Sequence, residues 1–119
     1  MALTKEAIFA VIDNEVISVS VPEWGGTVHL RCITGRERSE YEDSIDSGDK
    51  IRVTNLRERF LVRAICDDQG KRIFEENDIA GLSNRNGAVL DRLFHAALKL
   101  NKIGPDEIGV AESDFPESP

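Results

Sequence analysis

At 119 residues, with 40% hydrophobic and 31% charged side chains and a formal charge of −7, the chain is sized for one globular domain. It carries no basic face for a phosphate backbone, which argues against nucleic acid as a partner. Two cysteines without CxxC spacing and two histidines are too few ligands for a zinc site. The six apolar residues from Ala7 to Ile12 are too short for a signal-peptide core or a membrane span. The reading is a cytoplasmic chain with reduced thiols.

The charge is unevenly placed. Residues 105–119 hold five acids and no base, which leaves 17 acids against 15 bases in residues 1–104. The expected organisation is a single globular α+β domain over 1–104 and an acidic, proline-containing flexible tail over 105–119. A near-neutral body does little to repel its own copies, so self-association is expected.

Along the chain, Leu3–Ala10 reads as a short helix with Thr4 as its N-cap and Glu6 at the positive end of its dipole. Val16–Val21 alternates Ile17, Val19 and Val21 with serines, a strand pattern. Pro22–Gly26 turns the chain and Thr27–Ile33 returns as a second strand, with Val28, Leu30 and Cys32 on one face. Thr34 and Glu37 form a capping box that opens a polar helix, with Tyr41 and Ile45 as its buried edge. The loop at 46–50 ends that helix. Val53–Cys66 carries an apolar stripe of Leu56, Phe60, Leu61, Ala64 and Ile65 at helical spacing, with Arg57, Arg59 and Arg63 on the remaining surface. Asp67–Gly70 is a turn whose glycine supplies positive φ, and Lys71–Phe74 suits a short third strand. A brief helical turn follows Asp78. The last helix, Asn86–Asn101, presents Val89, Leu90, Leu93, Phe94, Ala97 and Leu98 on one face and is stopped by Gly104-Pro105. The fold class is therefore α+β, an N-terminal β-hairpin packed against a small set of α-helices.

No constellation of reactive groups emerges. His95 lies four residues after Asp91, a spacing that suits an orienting dyad and equally an ordinary helix-surface pair. Cys32 and Cys66 border apolar surface and read as small buried hydrophobes. The acids at 67, 68, 75, 76 and 78 lack the alternating ligands and central glycine of a calcium loop. Gly25-Gly26 lacks the following helix and the Lys-Ser/Thr pair of a phosphate loop. No catalytic, cofactor or metal site is expected.

The order of motifs is more informative than any one of them. An LTKEAI helix is followed by Pro22-Glu23-Trp24-Gly25-Gly26 with its strand, then a Thr34-Gly35 helix opening with Glu37-Arg38. NLRERFLVRAIC, an Asp-rich turn ending in Ile73-Phe74 and a final AVLDRLFHAALKLN helix complete the series. This order resembles the tail assembly chaperones of long-tailed, siphovirus-type bacteriophages or prophages, over nearly all of residues 1–104. The resemblance implies a non-enzymatic protein without cofactors. It would bind the tape measure protein, keep it soluble and help recruit tail tube subunits, in many members through a longer frameshifted product. It would act in the host cytoplasm and be absent from the mature virion.

Trp24, the chain's one tryptophan, sits in the hairpin turn. Its ring either folds back to fix the turn or serves as an interface anchor, the role Trp, Tyr and Arg take at binding hot spots. Arg36, Arg38 and Tyr41 on the polar helix are the other partner-binding candidates, against the reading of a solvated charged face. Rival functions are a structural head–tail or tail component of the virion, a small enzyme or regulator using His95 with a cysteine, and a bacterial adaptor domain.

Overall fold

The computed structural model describes residues 2–45 and 55–104. The expected loop at 46–50 and the expected tail at 105–119 lie outside the described residues.

The elements run α1 (Lys5–Ala10), β1 (Val16–Val21), a 3-10 turn (Pro22–Trp24), β2 (Gly26–Arg31), α2 (Gly35–Ile45), α3 (Leu56–Ala64), β3 (Ile65–Cys66), a second 3-10 turn (Glu76–Asp78), α4 (Ile79–Ser83) and α5 (Gly87–Leu100). The three strands form one antiparallel sheet in the order β1-β2-β3. The sheet and α2–α5 enclose one core, built from Val21, Leu30, Tyr41, Phe60, Leu61, Val89, Leu90 and Leu93, each fully buried or nearly so. The fold is the α+β class the sequence predicts.

Local chemistry explains most boundaries. Thr4 Oγ1 accepts from Ala7 N–H at 3.1 Å and starts α1. In the capping box of α2, Glu37 N–H donates to Thr34 Oγ1 at 3.1 Å while Glu37 Oε1 accepts from Thr34 N–H at 2.9 Å. Asn86 Oδ1 accepts from Ala88 and Val89 N–H and opens α5. The hairpin register is Val16 opposite Arg31 through Val21 opposite Gly26, so Ile17, Val19 and Val21 face the core.

The structure corrects the reach of several elements. The helix expected to reach Cys66 ends at Ala64, and Ile65–Cys66 enters the sheet as β3 against Leu30 and His29. β-branched Ile65 suits the pleat better than another helical turn. The segment 71–74 accordingly contributes only one isolated bridge, Arg72 with Cys66. The second strand stops at Arg31 instead of Ile33, because Ile33 N–H donates to Asn101 Oδ1 at 2.8 Å.

The stop of α5 comes before Gly104-Pro105. Lys102 adopts φ 57°, its N–H donates to Lys99 C=O at 3.1 Å, and Ile103 N–H donates to Leu98 C=O at 2.9 Å. This is a Schellman motif with lysine where glycine is usual, closed by the buried Ile103 side chain in the core with Leu98. Gly70 is favoured by its φ of 79°, and a Cβ there would also press on Val16 Cγ2 at 3.3 Å, which that side chain would have to ease away from.

Candidate functional site

The partner-binding candidates fall at the two ends of the hairpin. Pro22 begins the 3-10 turn at the tip, and Gly25 closes it at φ 75°, donating its N–H to Pro22 C=O at 3.0 Å. Trp24 stands on this tip with 38% of its surface exposed, enough for both packing and contact. The tip is strapped to α5 because Arg92 forks onto both Glu23 oxygens, at 3.0 and 2.9 Å. That hydrogen-bonded guanidinium holds the Glu23 carboxyl down at about 2.

Arg36 and Arg38 open α2 at the other end of the hairpin, beyond the exit of β2. Arg36 is exposed, and Arg38 Nε lies 3.7 Å from Glu42 Oε2. Six strand residues at about 3.3 Å each separate this end from the tip, so Trp24 and the arginines do not form one compact patch. Tyr41 is only 1% exposed, and its ring meets Phe60 edge-on with centroids 5.1 Å apart. In this conformation it fastens α2 to α3 and presents no face outward. Burial, against the nearby Arg63 and Arg59 charges, pushes its phenol above the ordinary tyrosine range.

Beneath α2 lies a buried polar junction that periodicity did not foresee. Strand alternation sets Arg31 on the face opposite Leu30, yet it is only 6% exposed. Its Nη2 donates to Glu37 Oε2 at 2.6 Å and to Arg63 C=O at 2.8 Å. Burial alone would raise the Glu37 carboxyl, but the bonds from Arg31 and Thr34 N–H outweigh it and hold the group below the usual carboxylate range. Arg63, read as a surface residue, is 2% exposed, donates to Arg59 C=O at 2.6 Å and pairs with Glu76. Each buried guanidinium is matched to a carboxylate on a neighbouring element that only the fold brings within reach, so no local spacing signals it.

A second missed feature is the N-terminal arm. Helix α1 buries none of its residues, and Leu3, Ile8, Phe9, Val11 and Ile12 are all more than half exposed. The unbroken run from Ala7 to Ile12 in so short a helix was the available sign, because such a run has no polar face to give to water. The sheet also offers an open edge. Glu15 C=O accepts from Cys32 N–H at 3.0 Å, so odd residues of β1 aim their backbone groups at β2 and even residues aim theirs outward.

Reactive chemistry finds little support. Asp91 Oδ1 accepts from Arg57 Nη1 at 2.5 Å, a tie from α5 to α3. Burial pushes the Cys66 thiol up, away from thiolate character, and Cys32 Sγ donates to Leu100 C=O at 3.7 Å. Asp67 spends one oxygen on the N–H groups of Gln69 and Lys71, which folds the turn. An open groove of about 920 Å³ beside α2 is lined by five acids, among them Glu40, Asp43 and Glu75, against Arg63 and Arg72, a net negative charge unsuited to nucleic acid. Among the described residues no helix is long and apolar enough to cross a membrane.

Comparison with known proteins follows the same direction. No curated protein sequence matches the chain. The structure of the bacteriophage HK97 tail assembly chaperone matches with a TM-score of 0.61 at 24% identity, covering 81% of this chain and 90% of that one, and so shares its fold. The family model for phage tail assembly chaperones matches residues 6–113. A match across that span, from within α1 through α5, shows that the chain belongs to the phage tail assembly chaperones, a family that is not enzymatic.

Proposed function

We propose that this chaperone holds a phage tape measure protein in solution before the tail tube forms and helps bring tail tube subunits to it. The observation that carries the reading is the family match over residues 6–113. It acts in the host cytoplasm and is absent from the finished particle.

The client is long, and the candidate contacts are spread out. Trp24 at the hairpin tip and Arg36 with Arg38 at its open end lie about a strand's length apart. A helical segment laid along the hairpin would touch the ring at one end and the guanidinium groups at the other, while Tyr41 keeps α2 seated on Phe60. Each contact is weak, and many copies along one client multiply their effect.

Co-expression with a tape measure protein tests this. The client should become soluble and co-purify with the chaperone, and purified particles should contain the client without it. Trp24→Ala should weaken co-purification while leaving the domain folded. A client equally soluble without the chaperone, or a chaperone retained stoichiometrically in particles, overturns the proposal.

A further inference from the structure

A second crevice lies where β2 and α5 end, and the chain leaves the described residues beside it. It holds about 420 Å³ between the entry to β1, the start of α2 and the cap of α5. Cys32, Ile33 and Leu100 line it, and each is only partly buried. Lys102 and Arg38 bring positive charge to the lining, and exposed Arg36 stands on the same first turn of α2 as Arg38. Asp13 and Glu15 form the part of the wall that belongs to the chain entering β1.

We propose that residues 105–113 dock in this crevice of their own chain, with Ile108 set against Ile33 and Leu100 and the acids turned toward α2. The path of the chain is the first support. Lys102 at φ 57° turns it off the α5 axis, Ile103 N–H bonds back to Leu98 C=O, and both residues belong to the crevice wall. At no more than about 3.6 Å per residue, Ile108 stays within about 14 Å of Gly104, so the crevice is in reach. Complementary chemistry is the second support. Residues 105–113 carry Asp106, Glu107 and Glu112, no base, and two branched apolar side chains, Ile108 and Val110. Lys102, Arg38 and Arg36 attract those acids while Asp13 and Glu15 repel them, so charge steers the segment along α2 and away from β1. The family pattern is the third support, because it runs past Gly104 to residue 113. Composition alone sets the boundary of the body at 104; docking moves it to where that pattern ends.

The segment is tethered at the crevice, so weak contacts suffice to hold it there. Docked, it sits beside Arg36 and Arg38. Where those arginines meet the client, as proposed above, the client must displace it, and the chain's own acids become a brake on binding. That consequence rests on the client reading, whereas docking is measured on the chaperone alone.

Cys32 reports on the crevice, because its side chain lines the space while Cys66 is buried. The test is the rate at which iodoacetamide alkylates Cys32 in the full chain, followed by mass spectrometry of the peptide that carries it. Two release variants remove one kind of contact each: Ile108→Asp, and the triple change Asp106→Lys, Glu107→Lys and Glu112→Lys. Each should speed alkylation about 10-fold over the wild type. A distal variant, Asp114→Lys with Glu117→Lys, alters charge beyond the docked segment and should leave the rate unchanged. The wild-type rate should also be independent of protein concentration, as an intramolecular contact requires. A wild-type rate in either release variant, an equal rise in the distal variant, or protection that grows with concentration, the mark of a second copy in the crevice, overturns the proposal.

Discussion

Replacing Arg63 separates what its stem contributes from what its charge contributes. The residue is 2% exposed, with Nη1 bonded to Arg59 C=O, Nη2 to Glu76, and Nε 3.8 Å from Glu40. Arg63→Ala removes two buried methylenes, about 1.6 kcal/mol at about 0.8 each. It also removes charge-assisted hydrogen bonds of about 1.5–3 kcal/mol each, against which stands a burial cost of several kcal/mol for the guanidinium. Glu40 and Glu76 are about half exposed, so both carboxylates return to water when the arginine is gone. The net electrostatic loss should therefore be small, about 1 kcal/mol, for a total near 3 kcal/mol. Arg63→Met restores the packing and should lose only about 1 kcal/mol. At about 4 °C per kcal/mol, the melting temperatures should fall by about 12 and 4 °C respectively. Thermal and urea unfolding followed by circular dichroism would read both. Equal losses from the two variants would refute the reasoning, because the charge would then dominate despite its solvated partners.

Three further outcomes are expected. Tyr41→Ala should cost about 3 kcal/mol by emptying the space against Phe60, while Tyr41→Phe should cost well under 1, because the hydroxyl reaches Leu56 C=O only at 3.5 Å; urea midpoints measure both. Glu37 has a folded pKa below its ordinary 4.5, so it stabilises the fold above that value and the benefit fades as pH falls through and below it. Glu37→Gln should therefore flatten the decline of melting temperature below about pH 4.5 without touching the part owed to Glu23 and Asp67. Lys102→Gly should raise stability by about 0.5–1 kcal/mol, since glycine accepts the left-handed conformation at φ 57° without strain; an unchanged or lowered melting temperature would contradict this.

How much of this was legible in the sequence follows from where the information sits. Caps and alternation are local, so Thr4, Thr34–Glu37, Asn86 and the hairpin were readable from neighbouring residues alone. All six positions read as the core face of α5 are buried. The end of α3 was not readable, because Ile65 fits both a helical stripe and a pleat, and the choice is made by Leu30 across the sheet. The buried state of Arg31 and Arg63 depends on carboxylates at positions 37 and 76, brought close only by the fold. Tyr41 was legible as the buried edge of its polar helix, and Phe60 takes the ring into the core. Its second reading, as a partner contact, came from residue type alone and had no local signal behind it.

One small side chain near the end of the described residues has a consequence for synthesis. The Asn101 amide accepts from Ile33 N–H and donates to Arg31 C=O and Ala97 C=O, tying the exit of β2 to the cap of α5 across 70 positions of sequence. A polypeptide interrupted before residue 101 would leave those strand groups without their partner and lack the Leu98–Ile103 closure. Truncated translation products would thus stay open to proteases, and only chains read through this asparagine would reach a protected state.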